Sequence, residues 1–344
     1  TTLGGLELEH PLILASGPLS WNGAAVLRAH RAGAAAVVTK TISRRAACSP
    51  RPHIAAEREG VLNVERWSDL DPWQWVEREL PSAKDGGARV IASVGLAADD
   101  VAALAGALER AGADALEVVS YDESALPGMV RAAVERVRIP VFAKLSANGC
   151  SLLETARRCV EEGASALTAI DSVGPALRID LERRRPLLGA DAAWWSGPGI
   201  LPLALHAVSR LHRAVGAPVV GTGGVRDADA AIEMLMAGAS AVGLCSAPLI
   251  EGLELLARLR ERLDARLGEL GFASVREAVG ALAAADEADA MEWSEAACTR
   301  CSACVKVCPY AARQSPAGAG NECRSCGLCV SVCPTGALRW RRGT

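Results

Sequence analysis

Aromatic side chains are scarce. There are two tyrosines, two phenylalanines and eight tryptophans, an aromatic fraction of 3%. A core of stacked rings is excluded, so the interior has to be built from Ala, Val, Leu and Ile, and any grouping of Trp stands out. Surplus positive charge is missing too: 37 Lys and Arg against 40 Asp and Glu give a net charge of −3, with no electrostatic footprint for nucleic acid. No apolar run reaches the ~18 residues of a membrane-crossing helix, and Thr1-Thr2-Leu3-Gly4-Gly5 lacks the basic start and apolar stretch of a secretory signal. The expectation is a reducing, cytoplasmic setting with no membrane or nucleic-acid partner.

What is present is ordinary globular composition, 50% hydrophobic and 22% charged, in a chain of 344 residues. That length exceeds the ~250–300 residues at which one core stops growing, so a large and a small domain are expected. The twelve cysteines locate the small one. Eight follow Ala297, as Cys298-x2-Cys301-x2-Cys304-x3-Cys308-Pro309 and Cys323-x2-Cys326-x2-Cys329-x3-Cys333-Pro334. Zinc sites and a disulfide framework are the other ways to use clustered cysteines, but two complete runs, each with a trailing proline, are the pattern of the bacterial iron–sulfur run. In two-cluster ferredoxins the fourth cysteine of each run crosses to the other cluster. The assignment is therefore Cys298, Cys301, Cys304 and Cys333 to one [4Fe–4S] cluster, and Cys323, Cys326, Cys329 and Cys308 to the second. Cys48, Cys150, Cys159 and Cys245 show no ligand spacing.

The first 266 residues repeat one phrase, a Gly-Ala turn followed by an apolar run. Ala32-Gly33-Ala34 leads into Val37-Val38, Ala111-Gly112-Ala113 into Leu116, Glu162-Gly163-Ala164 into Leu167, and Ala237-Gly238-Ala239 into Val242. Glycine suits a left-handed helix end, and a short apolar run suits a strand buried on both faces. Further apolar runs at 11–15, 89–94, 140–145 and 218–221, with amphipathic stretches such as 98–110 and 152–161, bring the count to about eight strand–helix units. The fold class is α/β, a TIM (β/α)8 barrel followed by a small α+β two-cluster ferredoxin-like domain. A doubly wound sheet is the alternative, weakened because no G-x-G-x-x-G follows the first strand. The expected domains are the barrel at 1–266, an Ala-rich helical connector at 267–290, and the ferredoxin domain at 291–344.

Barrel chemistry sits after the C-terminal strand ends. There the sequence places Ala15-Ser16-Gly17-Pro18, Thr39-Lys40-Thr41, Lys144-Leu145-Ser146, Asp171-Ser172, Thr222-Gly223-Gly224 and Cys245-Ser246. Two lysines in an apolar barrel need a polar or anionic ligand, and glycines after strand seven with a hydroxyl after strand eight suit a phosphate.

These motifs, with Ser172-Val173-Gly174, Arg178-Ile179-Asp180 and Ser196-Gly197-Pro198, make residues 8–266 resemble the flavin mononucleotide (FMN) barrel of dihydroorotate dehydrogenases and of the pyrimidine-reducing part of dihydropyrimidine dehydrogenase. With the ferredoxin tail, the chain looks like an FMN and iron–sulfur subunit of that group. The resemblance implies FMN ligands at Ala15, Ser16, Lys40, Thr41, Lys144, Ser172, Ser196, Gly197, Gly223, Gly224, Cys245 and Ser246. Lys144 would serve as the catalytic cation beside the ring. Asn63 and Glu65, in Val61-Leu62-Asn63-Val64-Glu65, become candidate substrate ligands, together with Asp171.

Two departures from the family pattern matter. The loop after strand four, usually Asn-x-Ser-Cys or Asn-x-Ser-Ser, reads Val119-Ser120-Tyr121-Asp122-Glu123-Ser124 here, and Asp171 replaces a carbonyl-binding asparagine. Both point away from orotate and uracil. Transfer of hydride to one carbon requires an acid for its neighbour, and Tyr121 and Asp122 are the candidates. Trp21, Trp67, Trp194 and Trp195 fall in loops at the same end, as expected of a wide, partly aromatic pocket.

The expected function is hydride exchange with a C=C/CH–CH bond conjugated to a carbonyl or carboxylate of a small cyclic substrate. Electrons for reduction would come from a ferredoxin or an NAD(P)H-oxidising flavoprotein subunit, since no nicotinamide motif is visible. The alternatives are dihydropyrimidine or dihydroorotate dehydrogenation proper, and an electron-transfer subunit of a larger complex. Related barrels imply a homodimer.

Overall fold

The apolar runs become the eight strands of one closed parallel barrel in the computed structural model, which describes residues 1–149, 151–284 and 290–341. In chain order these are β1 (Leu12–Leu14), β2 (Val37–Val38), β3 (Val90–Gly95), β4 (Ala115–Val119), β5 (Val141–Leu145), β6 (Ala166–Ala169), β7 (Val219–Thr222) and β8 (Ala241–Leu244). β8 closes on β1 with Val242 opposite Leu12 and Leu244 opposite Leu14. The helices that follow the strands are α1 (Gly23–Arg31), α2 (Leu80–Asp85), α3 (Ala98–Arg110), α4 (Leu126–Val134), α5 (Leu152–Glu161), α6 (Leu201–Val215), α7 (Ala228–Met236) and α8 (Leu255–Glu269). The TIM barrel expected from the repeat is therefore the fold.

The turn glycines do what the repeat requires. Gly238 ends α7 at φ 111°, and a Cβ there would lie 2.2 Å from the His212 ring; Gly33, Gly112 and Gly163 share its positive φ. Every residue of the eight strands is buried except Lys144, and the wall they form is apolar apart from Ser93, Glu117, Lys144, Thr168 and Thr222.

Two long loops, after β2 and after β6, meet in a sheet that the local pattern does not announce. Its antiparallel strands, in spatial order, are Val173–Ala176, Ala193–Ser196, Gly60–Asn63 and Ile54–Glu57, with Trp194 opposite Asn63 and Ser196 opposite Val61. The loop after β2 is anchored by Asp100 of α3. Its carboxylate accepts from the N–H groups of Arg44, Leu96 and Ala97, each at 3.0 Å, and from the Ser43 hydroxyl at 3.1 Å.

Burial opposes the Asp100 charge, but these donors outweigh it and hold the carboxyl below its usual range. A depressed carboxylate pKa gives stability that is present above the unfolded value of ~3.9 and lost as pH falls through the folded one. Asp100→Asn turns an amide NH2 toward two of these donors and is expected to cost about 1–3 kcal/mol at neutral pH. Urea unfolding at pH 7 and near pH 3 checks it, because the gap between wild type and variant should narrow in acid.

The first compact unit runs from Thr1 to Leu282 and the second begins at Ala283. Of the segment expected to be a connector, the part to Leu282 packs with the barrel: a helix at Val275–Ala278 contacts α7, and the N–H groups of Gly280 and Leu282 donate to the carbonyls of Leu235 and Met236. Residues 285–289 lie outside those described. In the second unit, Ala290–Trp293 pairs antiparallel with Leu338–Arg341, and two single-turn helices, Ala303–Lys306 and Leu328–Ser331, carry cysteines of the two runs. Among the described residues no helix is long and apolar enough to cross a membrane.

Candidate functional site

A cavity of about 420 Å³ opens at the C-terminal ends of the barrel strands, within the size range of small-molecule and cofactor sites. Ala15 and Ser16 reach it after β1, Lys40 and Thr41 after β2, Tyr121 after β4, and Lys144 from within β5. Asp171 and Ser172 enter after β6, Gly223 and Gly224 after β7, and Cys245 and Ser246 after β8. Asn63, Ser196 and Gly197, in or beside the antiparallel sheet, and Glu65 just beyond it complete the set. Asp122 is not among the lining residues. Its carboxylate instead accepts from the Ser124 hydroxyl at 2.6 Å and the Ser124 N–H at 2.9 Å, bonds that hold it below the usual carboxylate range. Of the tryptophans expected here, Trp67 and Trp194 line the cavity, whereas Trp21 and Trp195 do not. Trp75 is fully buried, its N–H donating to the Ser68 hydroxyl at 2.8 Å.

Both lysines are paired. Lys144 Nζ lies 3.1 Å from Asp171 Oδ1, and Lys40 Nζ lies 2.6 Å from Glu65 Oε1, with all four side chains mostly shielded from solvent. Burial alone would push the Lys144 ammonium down, but the charges of Asp171 and Glu117 more than offset it and hold its pKa above the ordinary lysine value. Glu117 of β4 was not singled out from the sequence. It is 2% exposed, accepts from Thr168 Oγ1 at 2.9 Å and leaves Oε1 unpartnered; burial raises its pKa. Its signal in the sequence was a single carboxylate within an apolar run otherwise suited to a doubly buried strand. Burial likewise pushes the Cys245 thiol up to about 11, so at neutral pH it is an uncharged group that reaches the Ser16 carbonyl at 3.6 Å.

The anion side of the cavity is built from bare backbone and hydroxyls. A Cβ on Gly224 would lie 2.7 Å from the backbone N of Leu201, the first residue of α6, so only glycine lets this loop approach the helix start. The hydroxyls of Ser196 and Ser246 are 2.9 Å apart, which joins the antiparallel sheet to the loop after β8. Paired cations, a side-chain-free loop and hydroxyl donors fit a phosphorylated flavin. Opposite them, the Tyr121 ring stacks on Trp194 with centroids 6.4 Å apart and planes 8° from parallel. Asn148, also unremarked in the sequence, ties the loop after β5 to the loop after β6, donating to the Ser172 carbonyl at 3.0 Å and accepting from Gly174 N at 3.0 Å.

In the second unit two small cavities divide the cysteines. One is lined by Cys298, Cys301, Cys304 and Cys333, the other by Cys308, Cys323, Cys326 and Cys329. The two crossing cysteines have lowered pKa values. The Arg313 N–H leads the donors at Cys308 and the Leu338 N–H those at Cys333, which favours the thiolate that iron requires.

A parallel barrel with paired lysines and a glycine phosphate loop at its strand ends, in a chain with two cysteine quartets, defines an oxidoreductase that uses a flavin and iron–sulfur clusters. The profile of the family described as dihydroorotate dehydrogenase matches residues 106–267, and 4Fe-4S binding domain profiles match 290–312 and 321–339. The chain is similar to the catalytic subunit of dihydroorotate dehydrogenase B (NAD(+)) from Methanothermobacter thermautotrophicus, 34% identical over 296 residues that cover 81% of this chain and 97% of the relative. Its counterparts from Desulforudis audaxviator and Pyrococcus furiosus are 33% and 31% identical, covering 81% of this chain and 95% and 96% of theirs. The chain belongs to the dihydroorotate dehydrogenase family. It is an oxidoreductase acting on CH–CH bonds, and its cofactors are FMN and two [4Fe–4S] clusters.

Proposed function

We propose that the barrel exchanges hydride with a carbon–carbon bond conjugated to a carbonyl or carboxylate of a small cyclic substrate, acting as a reductase supplied through the clusters by a ferredoxin or a partner flavoprotein. The observation that carries this reading is Lys144, the only strand residue of the barrel not fully buried, held as a cation in a cavity that also contains a phosphate-type glycine loop. FMN supplies the two-electron exchange with substrate and the one-electron exchange with the clusters.

The chain's own residues divide the remaining work. Gly223, Gly224, Ser196, Gly197 and Ser246 hold the phosphate; Ala15, Ser16, Lys40, Thr41, Ser172 and Cys245 line the flavin's seat; Lys144 provides positive charge beside it. Cys298, Cys301, Cys304 and Cys333 ligate one cluster, and Cys308, Cys323, Cys326 and Cys329 the other. Asn63, Glu65 and Asp171 face the substrate. Tyr121 gives up the proton, because its phenol stays protonated at neutral pH: partial desolvation first, and the Asp171 charge second, push its pKa up. Asp122, ionised and tied to Ser124, is not suited to donate.

Tyr121→Phe is expected to slow substrate-driven reoxidation of dithionite-reduced flavin by about 10²–10⁴-fold, and Asp122→Asn by only a few-fold. Anaerobic stopped-flow absorbance measures both, and an unchanged Tyr121→Phe rate removes the tyrosine from the proposal. Dihydroorotate oxidation coupled to NAD(+), which the relatives' names describe, is the alternative reading. The Asp171 substitution and the ion-paired state of both lysines disfavour it, since neither ammonium is left free for the carboxylate of orotate. Flavin reduction by dihydroorotate at the rate of a dedicated enzyme establishes that alternative. If no cyclic enone, lactam, pyrimidine or orotate reoxidises the flavin, the barrel serves only electron transfer.

A further inference from the structure

The two cluster cavities are bordered by buried donors of different kinds. Arg313 lines the cavity of Cys308, Cys323, Cys326 and Cys329 and not the other, and is only 6% exposed. Its Nη1 donates to the carbonyls of Pro316 at 2.7 Å and Ser315 at 3.4 Å, and its Nη2 meets Met291 Sδ at 2.9 Å. These partners are uncharged. The ion pairs of the second unit, Arg300–Glu295 and Arg339–Glu292, do not involve it, and no carboxylate among the described residues lies within ion-pair distance. In the other cavity, lined by Cys298, Cys301, Cys304 and Cys333, the corresponding group is Trp293, whose indole N–H is buried without a partner.

Each observation calls for an acceptor in the cavity. A buried guanidinium without a counter-charge is costly, and a buried N–H without an acceptor costs less but still measurably. An iron–sulfur cluster on four thiolates is an anion whose negative charge grows on reduction. A cation beside it therefore stabilises the reduced form more than the oxidised one, and more strongly than an uncharged N–H does.

We propose that the two clusters are held at unequal potentials by these donors. Arg313 raises the cluster at Cys308, Cys323, Cys326 and Cys329 above its neighbour, to which Trp293 offers only an uncharged hydrogen bond. This inference rests on the ligand sets of the proposed function. Because both donors are buried, the inequality belongs to the fold and is expected to change little with ionic strength.

Anaerobic redox titration of the full-length protein, followed by electron paramagnetic resonance, tests it. Wild type should show two reduction waves separated by at least tenfold in reduction equilibrium, about 59 mV for a one-electron couple. Cys326→Ser, which alters a ligand of the Arg313 cluster, assigns the signals. Arg313→Gln should lower the upper wave and move the lower one less; Trp293→Phe should lower the lower wave; Arg313→Lys, which keeps the charge, should preserve the separation. Iron and sulfide analysis runs beside each titration. Coincident wild-type waves, or Arg313→Gln protein with both clusters and both waves in place, overturn the inference. If Arg313→Gln does not retain its clusters, Arg313→Lys decides: a separation that collapses despite full clusters overturns it. Wild-type protein with iron for fewer than two clusters overturns the ligand sets themselves, and the inference with them.

Discussion

Lys144→Met should reduce the rate of hydride exchange between substrate and flavin by about 10²–10³-fold, the usual loss when a charge-stabilising group is removed from a preorganised site. The side chain is 12% exposed and 3.1 Å from Asp171, with the buried Glu117 close enough to influence its charge. Taking the ammonium away leaves two carboxyls at a desolvated site with no cation between them. Breaking a buried pair in this way typically costs about 3–5 kcal/mol, so the variant should also be less stable at neutral pH. Part of that loss should return in mild acid, because burial raises the pKa of Glu117, which becomes neutral as pH falls. Single-turnover flavin reoxidation measures the first effect, and thermal unfolding at pH 5 and pH 8 the second. A variant with normal turnover removes Lys144 from the chemistry even if its stability falls.

The second large effect concerns the clusters. The second unit has little else to hold it together: among its described apolar residues only Cys304, Ala312, Ala337 and Leu338 are buried, too few for an independent core. Metal binding in such a unit is folding free energy. Removal of iron by a chelator under oxidising conditions should therefore abolish amide hydrogen-exchange protection across residues 290–341. Protection in β3 to β8, where every strand residue but Lys144 is buried, should stay close to that of the intact protein. Retained protection of the Ala290–Trp293 and Leu338–Arg341 pair without iron contradicts this account of what stabilises the unit.

Much of the site was legible because its signals are local. Cysteine spacing is a property of one short segment, and so is the glycine that ends a helix at Gly238 before a buried strand. A lysine at the end of an apolar run is visible without knowing what faces it, which is why Lys40 and Lys144 could be placed at strand ends in advance. Other features depend on which loops meet. Asn63 and Trp194 are 131 residues apart and are neighbours only because their strands pair. Tyr121 and Asp122 are adjacent and chemically plausible alike; the Asx-type bonds to Ser124 turn one away while the Trp194 ring engages the other. Trp195 follows Trp194 in the strand Ala193–Ser196 without lining the cavity, because neighbouring strand residues alternate in direction, and Trp21, in the loop after β1, does not line it either.

The scarcity of aromatics in the chain has a partial structural counterpart. Two of the eight tryptophans and one of the two tyrosines line the candidate substrate cavity, while Trp75 is core and Trp293 borders a cysteine-lined cavity. By itself the sequence determined the barrel and the ferredoxin unit, because periodicity, turn chemistry and ligand spacing are written within short segments, while the flavin and its candidate contacts came from the family resemblance that local motifs carry. Only the tertiary structure decided which of two adjacent residues faces the cavity, that both lysines are paired, and that Glu117 lies buried near Lys144. Those are properties of distance and burial between segments remote in the chain, and no single segment carries them.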